Sequence, residues 1–152
     1  MSREMTAEEI NNFLNSEWIG VLSMKYEEGV YAVPLPYIYD DRTLSFVLMS
    51  GGKVMTLVEN MAEVCFTVFK ADKDKTSKWC SVIAQGKIEK VTRKEELIYL
   101  LDLMEDVFCQ VMVRKAENTD EVFRAYRSSV LASPDDSNIL KLKIGNMAGR
   151  FF

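Results

Sequence analysis

The segment SGGKVMTL, residues 50–57, places two glycines and a lysine directly before apolar residues at helical spacing. The free N–H groups of a helix's first turn attract phosphate, and glycines let such a ligand approach the backbone closely. Ser50 and Lys53 would then add a hydroxyl and an ammonium group to the contacts. The segment is not a P-loop, because Val47 stands where that motif has its first glycine. A glycine turn followed by a solvent-exposed lysine gives the same pattern, and the segment alone favours this simpler interpretation.

Two prolines, Pro34 and Pro36, lie in VPLPY within an apolar stretch that otherwise predicts a strand. Residues i and i+2 of a strand direct their backbone groups to the same edge, so this edge lacks two consecutive donors and keeps its carbonyl acceptors. A planar ligand that offers an N–H group, such as the pyrimidine ring of a flavin, could pair with it. An edge strand protected against aggregation explains the same spacing, and the spacing alone favours that explanation.

The segment WCSVI, residues 79–83, begins a long predicted strand in which Trp79 and Ser81 share a face. Ser81 could donate a hydrogen bond to a phosphate, and Trp79 could wall an aromatic ligand. On these residues alone, packing in the core is the favoured role of Trp79. Arg150, close to the end of the sequence, is either a tail charge or a residue that reaches a partner subunit.

The composition excludes several kinds of chemistry. The sequence contains no histidine, which rules out Ser-His and Cys-His catalysis, imidazole-bound haem and most zinc sites. Its three cysteines are too scattered for an all-thiolate site, so no metal site is predicted. A net charge of −4 argues against a nucleic-acid binder. The polar start MSREMTAEE is not a signal peptide, and no apolar run could span a bilayer, so we expect a cytoplasmic protein without a membrane partner.

The 152 residues fit one domain, 1–152, that can bury a core of its own. Capping-box sequences at residues 6–9 and 92–95 open two predicted helices, and helical spacing predicts two more near residues 54–61 and 120–131. Turn residues at 27–29 and 40–42 separate β-like segments, and Gly86 predicts a bulge within one of them. Strands are predicted at residues 18–24, 30–39, 43–49, 62–70, 78–91 and 139–144. This succession predicts an α+β fold whose main body is an antiparallel barrel or sandwich.

Taken in order, these segments resemble the pyridoxamine 5′-phosphate oxidase-like family of FMN-binding split barrels, and within it the branch that contains nitroimidazole-resistance proteins. The resemblance covers residues 6–91, through WIGVLSM, YAVPLPYIYDD, LSF, GGK, LVENMAEVCFTV and WCSVIAQGKIEKV. No single motif is specific, whereas the ordered set is. The last third of the chain matches mainly through its final strand and NMAGRFF.

The resemblance implies an α+β fold, a six-stranded antiparallel split β-barrel with flanking helices, that forms a homodimer and binds FMN in clefts at the subunit interface. Lys53 and Ser81 would contact the phosphate of FMN, assisted by Ser50. The implied site also includes four residues whose backbone faces the flavin ring and two that line the site, namely Val33, Pro34, Leu35 and Pro36, and Trp79 and Val82.

The sequence departs from this family at the phosphate end. Many relatives carry a histidine shortly before the glycine-lysine segment and a second basic residue at the position of Gly52, and this chain has neither. Arg150 is the candidate for the missing cation. The first hypothesis is a flavin-dependent oxidoreductase that passes electrons from NAD(P)H or another donor to a small molecule, and the alternative is a non-catalytic flavin or small-molecule binding module. A third class is an interaction protein that keeps the barrel and has lost the cofactor. No catalytic side chain and no particular substrate follow from the sequence.

Overall fold

The computed structural model describes residues 1–48, 52–59, 63–74, 78–111 and 119–152. Its helices are α1 (Ala7–Ser16), α2 (Lys53–Val58), α3 (Lys94–Val111) and α4 (Thr119–Ala132), and a single 3-10 turn spans Pro134–Asp136. Its strands are β1 (Arg3–Glu4), β2 (Ile19–Tyr26), β3 (Gly29–Pro36), β4 (Ile38–Asp40), β5 (Thr43–Val47), β6 (Glu63–Ala71), β7 (Trp79–Lys90) and β8 (Ile139–Phe151).

The strands form one antiparallel sheet in the order β3-β2-β6-β7-β8-β5-β4, and β1 pairs with the end of β8. This sheet curls into a half-barrel flanked by helices, which confirms the predicted α+β split barrel. The sheet has eight strands, so the expected number of six is wrong. One additional strand is the two-residue β1, and the other arises because the predicted strand 30–39 is divided in two.

Tyr37 divides that predicted strand. Its backbone N–H donates to the carbonyl of Trp18 at 2.9 Å, its hydroxyl donates to the carbonyl of Leu14 at 2.8 Å, and only 4% of the residue is exposed. On one side of Tyr37 the chain pairs with β2, and on the other side it pairs with β5. Because β3 and β4 stand at opposite ends of the strand order, this continuous stretch holds the two ends of the sheet together.

The predicted turn at residues 40–42 and the predicted bulge are both confirmed. Asp41 and Arg42 adopt positive φ angles of 42° and 59°, as in the tight turns that suit the twist of a β-hairpin. The ladder between β7 and β8 shifts register between Gln85 and Gly86. At Gly86 an added Cβ would lie 1.9 Å from the carbonyl oxygen of Lys143, so the two strands approach closely there because residue 86 is glycine.

The N-terminal segment is anchored by the capping box predicted from the sequence. Thr6 Oγ1 accepts from the backbone N–H of Glu9 at 3.2 Å, and the Glu9 carboxylate accepts from the backbone N–H of Thr6 at 2.9 Å. Arg3 adds two bonds to the same carboxylate, at 2.8 and 2.9 Å. The Arg3 guanidinium and the Thr6 N–H together lower the pKa of Glu9 to about 2. This contact holds β1 beside the start of α1.

Two apolar clusters make up the core. The larger one lies on the inner face of the curled sheet, which we define as the face that carries Leu22, Phe66 and Val82, and it is covered by α1 and α2. The smaller one joins α3 and α4 to the start of β8 and includes Leu97, Leu100, Leu101 and Met104 of α3.

No helix among the described residues is long and apolar enough to cross a membrane. Within the same ranges, no group of three or more Cys, Asp or Glu side chains is arranged to hold a metal ion.

The close approach at the bulge is testable with Gly86→Ala. We expect a loss of about 2–4 kcal/mol in the free energy of unfolding, measured by urea denaturation, because the new methyl group meets backbone that cannot turn away. Gly145→Ala is the matched control, since its Cβ would find its nearest neighbour at 3.7 Å, and it should change stability by less than about 1 kcal/mol. Equal effects of the two substitutions would contradict the proposed packing.

Candidate functional site

The free edge of β3 lacks backbone N–H donors, as expected from its two prolines. Tyr37 donates toward β2, so alternation turns the backbone N–H groups of Val33 and Leu35 to the same side. Pro34 and Pro36, the residues between them, face the opposite edge, which has no strand partner among the described residues. That edge therefore presents carbonyl oxygens and lacks two N–H donors. A planar ligand with an N–H group matches such an edge.

The side chains of β3 alternate between the two faces of the sheet. Pro34 and Pro36 are exposed, whereas Val33 and Leu35 turn inward and pack against the inner-face core. A ligand along this edge would meet the backbone carbonyls and the side chains of Pro34 and Pro36, because the backbone groups of Val33 and Leu35 point toward β2.

Lys53 opens α2 and lies at the far end of the β2–β3 hairpin. Its ammonium donates to the hydroxyl of Tyr26 at 3.2 Å and stands 4.9 Å and 4.6 Å from the ring centres of Tyr26 and Tyr31. Each such cation–aromatic contact is worth roughly 0.5–1 kcal/mol at an exposed site. The lysine is thus oriented but remains exposed, and its bonds to an anion would replace only weak contacts.

The anion-binding capacity of this region comes mainly from the Lys53 side chain. The helix α2 has six residues, and its N-cap Gly52 offers no side-chain hydrogen bond, so the helix dipole contributes little. Ser50 lies outside the described residues. Sequence reasoning missed Tyr26 and Tyr31, although Tyr31 belongs to a strand that it predicted, because nothing in the pattern shows which rings meet the lysine.

Ser81 and Trp79 share the outer face of the sheet, opposite the inner-face core. Ser81 is half-buried between Phe69 of β6 and Arg150 of β8, its partners in the two ladders. Arg150 forms an ion pair with Glu4 at 3.3 Å, and its side chain is half exposed. Ser81 and Arg150 are therefore adjacent, and together they offer an anion one hydroxyl and one guanidinium.

Two residues of the predicted site lie differently from expectation. Trp79 is 44% exposed and stacks face to face on Phe152 at a centroid distance of 3.7 Å, so the core role favoured by its sequence context is wrong. Val82 is 1% exposed and packs in the inner-face core, because alternation along β7 turns it away from Ser81. Its side chain cannot line a site on the outer face.

Lys53 and Ser81 lie on opposite faces of the sheet in one chain. The rings that hold Lys53 belong to the inner face, since Tyr31 pairs with Met24, which is 2% exposed in the core. Ser81 belongs to the outer face. No contact among the described residues joins the two, so a single phosphate that touched both would have to lie between two copies of the chain.

The outer face also carries an unusually apolar surface. We call it the outer-face patch, and it consists of Ile19, Phe69, Trp79, Ile83 and Phe152, which are between 38% and 61% exposed. Isolated exposed apolar side chains are ordinary, but a contiguous patch marks an interaction surface. Sequence alternation predicted the strands but did not show which face would lack a cover.

Cys80, which follows Trp79 of this patch in the chain, is a neutral thiol. Cys80 lies between Trp79 and Ser81 in β7 and packs against the inner-face core. Burial raises the pKa of the Cys80 thiol, and the carboxylate of Glu17 adds to the increase. A thiol with a raised pKa is a poor nucleophile near neutral pH. The chemistry that this arrangement supports is therefore binding and orientation of a ligand.

Comparison with known proteins identifies the family. The family model described as pyridoxamine 5′-phosphate oxidase matches residues 6–134, and the chain belongs to this family. No curated protein sequence matches the chain.

Solved structures share the fold at low sequence identity. A FAD-binding protein from Mesorhizobium loti aligns with a TM-score of 0.73 and 19% identity over 100% of this chain and 99% of its own. A proposed 5-nitroimidazole antibiotic resistance protein from Bacteroides thetaiotaomicron aligns with a TM-score of 0.69 and 18% identity over 100% and 88%. A FAD-binding protein from Mycobacterium smegmatis gives a TM-score of 0.61 and 16% identity over 100% and 99%.

The orientation of the β3 edge is tested by two substitutions, one that removes the proline at residue 34 and one that places a proline at residue 33. Pro34→Ala should leave the free energy of unfolding within about 1 kcal/mol of the wild type, because residue 34 makes no hydrogen bond to β2. Val33→Pro should cost about 3 kcal/mol or more, because it removes a ladder bond. Chemical denaturation of both variants measures the difference. If Pro34→Ala proved the more damaging change, the assigned orientation would be wrong.

Proposed function

We propose that the chain binds a flavin, as FMN, at an interface between two copies of itself, and that it acts as a flavin-dependent oxidoreductase on a small molecule. The observation that carries this proposal is the β3 edge, whose carbonyl acceptors and missing donors suit the N–H of a flavin's pyrimidine ring, in a member of the pyridoxamine 5′-phosphate oxidase family. The flavin, when bound, supplies the electron transfer. The chain's own residues orient the ring and exclude water around it.

The phosphate end of the proposed site combines Lys53 of one copy with Ser81 and Arg150 of the other. This division follows from the opposite faces on which Lys53 and Ser81 lie. Arg150 stands beside Ser81 and supplies a second cation where Gly52 offers none. Ser50 and Trp79 stay in the proposed site as an additional hydroxyl and as an aromatic wall. The side chain of Val82 does not, because it lies in the core.

FMN and FAD share the flavin ring and differ in the phosphate-containing group attached to it, so the anion-binding groups of the chain decide between them. FMN ends in a phosphate monoester, which one lysine and one arginine can neutralise. Two structural relatives are named as FAD-binding proteins, so FAD is the second candidate. We propose FMN because the described anion-binding groups, Lys53 of one chain with Ser81 and Arg150 of the other, suffice for one phosphate.

The homodimer is proposed from the outer-face patch. Covering Phe69, Ile83 and Trp79 removes from water the apolar surface that a single chain leaves exposed, which favours association. The same association would bring Ser81 and Arg150 of one copy toward a cofactor held by the other. We place the dimer in the cytoplasm, where NAD(P)H is available as an electron donor.

A non-catalytic flavin-binding module remains the alternative function. Two observations favour it. Gly52 supplies no second cation beside Lys53, and the raised pKa of Cys80 leaves no reactive thiol beside Ser81. Reduction of the bound flavin by NAD(P)H, followed by reoxidation with a small acceptor, separates an oxidoreductase from a binding module.

The cofactor is tested by the visible absorption spectrum of freshly purified protein. We expect visible flavin absorption at about one flavin per chain, with FMN as the mass released on denaturation. Release of FAD would replace the proposed cofactor by the second candidate. A colourless sample that also failed to take up added FMN or FAD would contradict flavin binding altogether.

The role of Lys53 is tested by Lys53→Ala. A charge-assisted bond to phosphate is worth roughly 1.5–3 kcal/mol, so FMN affinity measured by fluorescence quenching should fall at least tenfold. Lys94→Ala, at an exposed lysine that opens α3, is the matched control and should bind FMN normally. Unchanged affinity in Lys53→Ala would show that the ammonium contacts only the tyrosine rings.

The dimer is tested at the patch with Phe69→Lys. The wild type should elute at about twice the chain mass of 17.4 kDa, and the variant at the mass of one chain, because a buried unpaired charge opposes association. Val122→Lys, on the exposed side of α4, should remain dimeric. A monomeric wild type that still bound FMN would place the flavin site within one chain.

A further inference from the structure

Two tyrosine rings hold the ammonium of Lys53, and the pairing of β2 with β3 explains why they meet there. Tyr26 shares the inner face with Met24, two residues earlier in β2, and Tyr31 lies directly opposite Met24. The two rings are therefore diagonal neighbours across the hairpin, which brings both within reach of one group between them. Gly29, opposite Tyr26, carries no side chain that would fill this space.

The two tyrosines contact the lysine differently. The ammonium stands 4.9 Å and 4.6 Å from the ring centres of Tyr26 and Tyr31, and within the described ranges it donates a hydrogen bond to the hydroxyl of Tyr26 alone, at 3.2 Å. A phenol has one O–H donor in addition to its acceptor lone pairs. The Tyr26 hydroxyl uses a lone pair on the ammonium, so its hydrogen is left for another acceptor, and no described residue supplies one.

An anion that reaches Lys53 therefore meets two donors side by side. A phosphate monoester has three acceptor oxygens and a charge of about −1.5 to −2 at neutral pH, so it can accept from both groups at once. Donation from the ammonium polarises the hydroxyl, because linked hydrogen bonds strengthen one another. The neutral hydroxyl of Tyr26 can thus take over part of the role of the cation that Gly52 does not supply.

We propose that Tyr26 binds the phosphate of the cofactor together with Lys53. The Tyr26 hydroxyl accepts from the ammonium and donates to one phosphate oxygen, and the ammonium donates to another. This inference rests on the proposed function, since it takes the phosphate monoester to be that of FMN. Tyr31 contributes its ring alone. The pair favours a flavin that carries a phosphate over the same flavin without one.

The test compares Tyr26→Phe with Tyr31→Phe, two variants that keep their rings and lose one hydroxyl each. FMN affinity of the full chain, measured by quenching of flavin fluorescence, should fall about tenfold in Tyr26→Phe through loss of a bond to a charged group. In Tyr31→Phe it should stay within about twofold of the wild type, because the ring still contacts the ammonium. Equal losses in the two variants, or no loss in Tyr26→Phe, would overturn the assignment.

Riboflavin, which has the flavin ring and no phosphate, separates a phosphate contact from an effect on the rest of the site. Its affinity should be the same in the wild type and in Tyr26→Phe, so the preference for FMN over riboflavin should fall by the whole of the FMN loss. Equal weakening of both ligands would show that the hydroxyl supports the ring or the fold, and it would overturn a phosphate contact.

A double variant separates direct contact from orientation of the lysine. In a chain that already carries Lys53→Ala, a Tyr26 hydroxyl that donates to the phosphate still contributes, so adding Tyr26→Phe should lower FMN affinity about threefold further. No further loss would show that Tyr26 acts only by orienting the ammonium, which would overturn the direct contact.

The wild-type titration tells failure of this inference from failure of the proposed function. A wild type that bound neither FMN nor riboflavin would contradict the flavin proposal and this assignment with it. A wild type that bound FMN with the same affinity as Tyr26→Phe would overturn this assignment alone.

Discussion

The backbone hydrogen bond from Tyr37 to the carbonyl of Trp18 is the constraint on which the rest of the structure depends. It ends the pairing of β3 with β2 and lets the next three residues pair with β5 at the other end of the sheet. The hydroxyl of Tyr37, bonded to Leu14, also fixes α1 over this junction. Burial of the hydroxyl, and then the nearby carboxylate of Glu17, raise the pKa of Tyr37, so the hydroxyl remains a donor across the physiological range. A curled sheet with one covered and one uncovered face is the consequence.

That curl also separates the functional groups. The inner face is filled by side chains such as Phe46 and Phe66, so a ligand must bind at an edge, at a rim or on the outer face. Lys53 is held at the rim by two tyrosine rings, whereas Ser81 and Arg150 lie on the outer face beside exposed aromatic residues. The residues of the proposed phosphate site thus lie on two different sides of one chain. Association of two copies is the simplest arrangement that would unite them, and it would cover the outer-face patch at the same time.

Sequence reasoning recovered the features that depend on local pattern. The capping box at Thr6, the tight turn at residues 40–42 and the bulge at Gly86 each follow from residue types over a few positions, and all are present. It missed the features set by distant partners. The break at Tyr37 is invisible because strand-forming residues continue on both sides of it, and β8 extends seven residues beyond the predicted end at Ile144 because β7 supplies a ladder partner. The exposure of Trp79 was also missed, because a period of two separates the faces of a strand without showing which one is covered.

The central claim is that one flavin site takes Lys53 from one chain and Ser81 from its partner. A hybrid dimer of Lys53→Ala with Ser81→Asp, purified through two different affinity tags, tests it most directly. Each homodimer should lack FMN, because each of its sites carries one damaged residue. The hybrid should bind FMN at about half the wild-type amount, because one of its two sites then combines intact Lys53 with intact Ser81. A hybrid that bound no more FMN than either homodimer would contradict a site shared between chains.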